Sequence, residues 1–217
     1  MSRLFFVCAA AVALVCSGRA EGAIRITEWM YNGGGAGNIG EFVEFTNLGP
    51  AAVDFTGWSF DDSSRAPGSQ SLSAFGLVAP GESVVFTDSL AADFRTNWNL
   101  LAAVKIVGGN ANNLGRSDEI NVYDAANALV DRLTYGDETF PGSIRTQNKS
   151  GNPNNAAALG ANNPLLWSLS AVSDAFSSTT SIVGEIGNPG SYLIPEPAAL
   201  TLAAAALLVI FGQRRLA

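Results

Sequence analysis

Two glutamates have settings that could do chemistry: Glu28 in IRITEWMY and Glu44 in EFVEF. Each lies inside a run of alternating apolar residues, and the two carboxylates meet if those runs pair as neighbouring strands. Such a pair can hold a cation or pass a proton. The same positions have a structural reading: each carboxylate accepts backbone N–H groups at a strand end or bulge, or pairs with Arg25 or Arg132, because a buried carboxylate requires partners. A second acidic group, Asp61-Asp62 with Asp54 nearby, leads into the polar stretch 63–71. Its oxygens suit calcium, but the spacing matches no EF-hand or repeat loop, and acidic turns are common on solvated surfaces. A hydrolase built on carboxylates would have to gather at least two of Glu28, Glu41, Glu44 and Asp61 in one deep pocket. Histidine is absent, which removes the commonest general base, the commonest metal ligand and the usual serine triad. No Gly-x-Ser-x-Gly elbow occurs, and no cofactor is expected.

The elements that must position these groups read as short strands. In the first run Ile24, Ile26, Glu28 and Met30 share one face, with Arg25, Thr27 and Trp29 opposite. EFVEF puts Val43 and Phe45 on one face and Phe42 and Glu44 on the other. WSF groups Trp58 with Phe60, SVVF groups Val84 with Phe86, EINVY groups Ile120 with Val122, and LVDRLTY groups Leu129, Leu133 and Tyr135. This is the period-two alternation of half-buried strands. Turn residues separate the runs at 32–35, 47–50, 80–81, 108–109 and 124–127. Many short strands at this spacing predict an all-β antiparallel sandwich. One short helix is expected: Asp88 can cap it, and Leu90, Phe94, Trp98 and Leu101 recur at helical spacing to cover an open end or edge. Residues 138–194 read as an Asn- and Gly-rich extension and linker. Within them 143–147 could form a further strand, Trp167 and Leu169 could pack back onto the sandwich, and 187–197 lead away from the domain.

Both chain ends carry apolar stretches. Residues 1–20 combine Arg3, an apolar run over 4–15, and small residues at Gly18 and Ala20, the pattern of a helical signal peptide cleaved after Ala20. The only cysteines, Cys8 and Cys16, fall inside it, so a mature chain would rely on packing without disulfides. The full chain has a net charge of −7. Residues 21–194 carry eight basic and eighteen acidic residues, about −10, and such a surface repels phosphate backbones, so no nucleic-acid partner is expected.

The other end, residues 195–217, reads Pro195-Glu196-Pro197, then an apolar run over 198–211, then Arg214 and Arg215. As a helix the run spans roughly 21 Å, short of the ~30 Å hydrocarbon core, with the arginines on the cytoplasmic side. This tail resembles the PEP-CTERM sorting signal. That resemblance implies an exosortase as processing partner, cleavage at the Pro-Glu-Pro motif, and a Gram-negative host. A plain membrane anchor differs only in that residues 198–217 persist, and either places the domain outside the cytoplasm.

A second resemblance covers residues 22–137. IRITEWMYN, GEFVEFTN, VDFTGW, LVAPGESVVF and LGRSDEINVYDAANALVDRLTYG follow, in order and spacing, the pattern of the lamin-tail family. GEIGNPGSY resembles the closure seen after many such domains. The family implies an immunoglobulin-like β-sandwich that binds or tethers and does not catalyse. The expected function is a non-enzymatic surface or matrix module, with exopolysaccharide or an envelope protein as partner and with Trp29 and Tyr31 as the first contacts. The rival is the carboxylate-dependent, calcium-assisted extracellular hydrolase.

Overall fold

The computed structural model describes residues 24–35 and 40–193. The signal sequence with Ala20, and the tail with Pro195, Glu196, Pro197, Arg214 and Arg215, lie outside the described residues. Among the described residues no helix is long and apolar enough to cross a membrane.

In chain order the strands are β1 (Ile24–Met30), β2 (Phe42–Asn47), β3 (Val53–Asp54), β4 (Ser59–Asp61), β5 (Gln70–Ser71), β6 (Leu77–Val78), β7 (Ser83–Thr87), β8 (Lys105–Val107), β9 (Asp118–Tyr123), β10 (Leu129–Tyr135), β11 (Gly151–Pro153), β12 (Trp167–Leu169), β13 (Thr179–Thr180) and β14 (Ile186–Gly187). The one α-helix described, α1 (Ala91–Asn97), joins β7 to β8. A six-stranded sheet runs β12-β11-β1-β2-β7-β8 and a four-stranded sheet runs β10-β9-β4-β5. They form the expected all-β, immunoglobulin-like sandwich. Pairing is antiparallel except between β7 and β8, which are parallel because the helix returns the chain to the same end of the sheet.

The main core lies between the two sheets. Ile24, Ile26, Trp29, Val43, Phe45, Val84 and Phe86 come from the larger sheet, and Phe60, Ile120, Val122, Leu133 and Tyr135 from the smaller. Trp29 and Tyr135 stack across the layers with ring centroids 3.9 Å apart. Simple alternation along β1 places Trp29 on the wrong face. A β-bulge between Ile26 and Glu28 inserts one residue, so Trp29 joins Ile24 and Ile26 while Met30 turns outward. A one-residue shift flips every later side chain, which is how the bulge re-aims Glu28 as well. The register also slips between Leu129 and Asp131, and Leu129 is left exposed instead of joining Leu133 and Tyr135.

The six-stranded sheet is buried on both faces. On its outer face Met30, Phe42 and Val85 pack under Phe94 of α1 and Trp98, the residue that closes its C-terminus. The helix therefore covers a sheet face, not an open end, and Leu90 and Leu101 of its expected stripe are exposed. Asp88 does not cap it. That carboxylate accepts the Gly40 N–H at 3.0 Å, and Leu90 occupies the cap position without a side-chain bond.

Residues 138–193 form a packed extension, and 187–193 lie on the domain instead of leading away from it. β11 adds to the edge of β1, β12 adds to β11, and Trp167 reaches the main core. Leu159, Phe176 and Tyr192 form a third cluster, closed by Leu48. Gln147 makes a single bridge to Asn32 in place of a strand over 143–147, and Leu169 points to solvent. Loop-like composition misleads here because Asn side chains close the turns: Asn155 and Asn163 each cap a short 3-10 turn.

Candidate functional site

Pairing of β1 with β2 sets Glu28 directly opposite Glu44, as the sequence suggested. The bulge turns Glu28 to the outer face, where both carboxylates are fully buried. Neither meets an arginine. Arg25 donates to the carbonyls of Ile24 and Val130, at 3.1 and 3.4 Å, and Arg132 bonds Asn121.

Their partners come mainly from hydroxyls and from the C-terminal part of the fold. Ser150 Oγ and the Asn188 N–H, the latter at 2.8 Å, donate to Glu28 Oε1. Thr27 Oγ1 donates to Glu44 Oε1 at 2.6 Å and the Gly190 N–H to Glu44 Oε2 at 2.7 Å. Glu28 Oε2 has no hydrogen-bond partner. Burial pushes the Glu28 carboxyl well above the usual carboxylate range, and the charge of Glu44 pushes it further the same way. Burial also raises Glu44, to about 7, against the pull of its hydrogen bonds. At neutral pH the pair thus retains protons that solvated carboxyls would have lost.

Sequence reasoning found this pair but missed what covers it. Ser150, Asn188 and Gly190 lie 122 to 160 residues from their glutamate partners. The legible signal was the Gly-Asn-Pro-Gly closure, which folds over the carboxylates instead of leading away from them. Gly187 is required there: a Cβ would fall 2.8 Å from Glu28 Oε1 and 2.9 Å from Ser150 Oγ.

The other acids also have structural partners. Glu41 is buried, accepts the Leu114 N–H at 2.5 Å and Asn110 Nδ2 at 2.9 Å, and is raised by burial to about 8. Asp61 accepts Ser64 Oγ, the Ala66 N–H and Asn112 Nδ2 at 2.6–2.9 Å, tying the 61–66 turn to the 110–114 loop. Asp54 closes its own turn onto Thr56, at 2.9 and 2.8 Å. Among the described residues no three His, Cys, Asp or Glu side chains gather to hold a metal ion. Replacing Asp61 with Ala is expected to cost about 1–3 kcal/mol, because three donors lose their acceptor. Urea unfolding should give the same loss in calcium as in chelator, and a loss seen only with calcium present would show that the turn binds the ion.

Two cavities, of about 360 and 320 Å³, are lined by none of Glu28, Glu41, Glu44 or Asp61. The aromatics expected to make first contacts are also withdrawn. Trp29 is buried in the main core, and Tyr31 is buried with its hydroxyl accepting Arg145 Nε at 2.9 Å. Both follow from the bulge, which turns Trp29 inward and with it the face that Tyr31 shares.

Searching curated proteins finds no match to this chain. The family model of the lamin tail domain matches residues 17–137, more than half of the sequence, ending two residues past β10. With the strand order, the sandwich and that match in agreement, the chain belongs to the lamin tail domain family.

Proposed function

We propose that this protein is an exported, non-catalytic surface or matrix module of a Gram-negative bacterium. In this reading the N-terminal signal delivers it and an exosortase processes the tail at Pro195-Glu196-Pro197. The sandwich then tethers or binds an envelope polymer or protein. The observation that carries the reading is where the described packed residues lie relative to the two motifs. β1 opens at Ile24, four residues past Ala20, and Tyr192, the last buried side chain among the described residues, comes three residues before Pro195. Cleavage at both sites would leave every buried residue among the described ones in place. Lamin-tail membership supports a binding or structural role over catalysis. So does the bonding of the four acids a hydrolase would need, since a catalytic carboxyl must reach its substrate.

The test follows two epitope tags on one protein, at the C-terminus and in the exposed turn at Ala126. With an exosortase present, the internal tag should reach the surface and the C-terminal tag should be lost. Without it, both should remain together in the membrane fraction. Joint retention in both hosts would overturn the sorting step and leave a plain anchor.

A further inference from the structure

After Gly187 no further strand pairing occurs among the described residues, yet residues 188–192 are fixed across the outer face of the larger sheet. Three alternate backbone N–H groups hold them there. Asn188 donates to Glu28 at 2.8 Å, Gly190 to Glu44 at 2.7 Å, and Tyr192 to Ser83 Oγ at 3.1 Å. The acceptors come from β1, β2 and β7, neighbours in the sheet, so the segment crosses the strands with one amide to each. The segment turns as it crosses: the Ser191 N–H donates to the Asn188 carbonyl at 3.3 Å, and Gly190 at φ 91° supplies the left-handed residue of that turn, which aims its amide at Glu44. Two of the three anchors are titratable, and they stand opposite each other in the β1–β2 register.

We propose that residues 188–192 form a proton-gated clasp, docked while the Glu28–Glu44 pair holds a proton and lifted from the sheet when both carboxyls ionise. The surroundings support this. Two anions there would be neighbours with no cation bonded to either among the described residues, and Glu28 Oε2 is buried without any donor. Such a pair is costly in a dry site unless water is let in. The remaining groups are hydroxyls and amides: Thr27, Thr46 and Ser83 around Glu44, and Ser150, Ser170, Asn152 and Asn188 around Glu28.

The other charged groups of the packed elements are engaged elsewhere. Asp174 adds a further negative charge near Glu28 and is held by Ala171, Phe176 and Ser178. Glu185 accepts Gly34, Asn97 and Ser181. Glu82 pairs with Lys105, and Arg95 donates to the Leu101 and Val104 carbonyls. Arg25 faces the Ile24 and Val130 carbonyls. One side of the clasp borders the 320 Å³ cavity lined by Leu101, Val104, Gly190 and Tyr192, so it has room to move. This inference stands apart from the export reading, since it concerns only contacts within the fold.

The test is amide hydrogen exchange by NMR on the full-length chain in mild detergent, from pH 5 to 8, corrected for intrinsic exchange. Carboxyl ¹³C signals of Glu28 and Glu44 are followed in the same samples. Protection at Asn188, Gly190 and Tyr192 should fall by up to about tenfold per pH unit for each proton released on opening, and at every pH should stay well below that of the β9 and β10 amides, which open only with the whole fold. In Glu44→Gln, whose neutral amide oxygen can still accept the Gly190 N–H, the slope should flatten. Flat protection in the native chain, protection equal to that of β9 and β10, or an unchanged slope in Glu44→Gln would each overturn the clasp. If Glu44→Gln does not fold, the native carboxyl signals decide: both titrating in the ordinary carboxylate range would overturn it, and retention of a proton past that range would uphold it.

Discussion

A chain that stops at residue 137, where the lamin-tail match ends, is expected to show no cooperative unfolding, whereas one that runs on to Leu193 should melt in a single transition. The segment beyond 137 supplies Leu159, Trp167, Phe176 and Tyr192 to the packed interior. At about 1.5–3 kcal/mol for each large apolar side chain, their burial contributes about 6–12 kcal/mol. Domains of this size are stable by only about 5–15 kcal/mol in total, so the loss is comparable with the whole. Shortening the chain also strips β11 from β1, leaving an apolar strand as an open edge prone to self-association. It removes the amides of Asn188 and Gly190 from the two buried glutamates as well. Circular dichroism melts of two chains starting at Glu21 test this. Equally sharp transitions within a few degrees of each other would show that 138–193 is dispensable.

The native protein should lose stability as pH rises from 5 to 8, the reverse of the usual behaviour of salt-bridged carboxylates. A glutamate in an unfolded chain titrates near roughly 4.3. Burial raises Glu44 to about 7 and Glu41 to about 8, and raises Glu28 as well. Between those limits the folded chain holds protons that the unfolded chain has released. Their stabilisation is complete below the unfolded value and is lost as pH climbs through about 7 and then about 8. Asp88 and Asp131, also raised by burial, act in the same direction. Glu119 acts oppositely: Arg65 holds it near 2, so its contribution disappears only in strong acid, outside this window. At about 1.4 kcal/mol per pH unit per proton, the loss is several kcal/mol, or roughly 10 °C or more in Tm. Scanning calorimetry from pH 5 to 8 measures it, and a flat or rising Tm would show that these carboxyls ionise freely in the folded state.

The two effects separate what is local from what is not. Alternation named the strand faces of EFVEF, SVVF and EINVY correctly, because a strand's two faces are written two residues apart in the chain. It paired Glu28 with Glu44, since that requires only that two neighbouring runs form a hairpin. It misassigned Trp29 and Met30, because one bulged residue reverses the pattern and nothing in IRITEWMY marks where the extra residue goes. It anticipated that Trp167 packs back onto the sandwich but took 187–197 as a linker, because turn-forming residues look alike whether the turns hang free or pack. Composition, the absence of histidine, the strand succession and the family pattern were thus determined by the sequence itself. The burial of Glu28 and Glu44 was decided only in three dimensions, where groups up to 160 residues away close over them. Closure over such distances depends on which surfaces fit once the sheets have formed, and no local pattern encodes that.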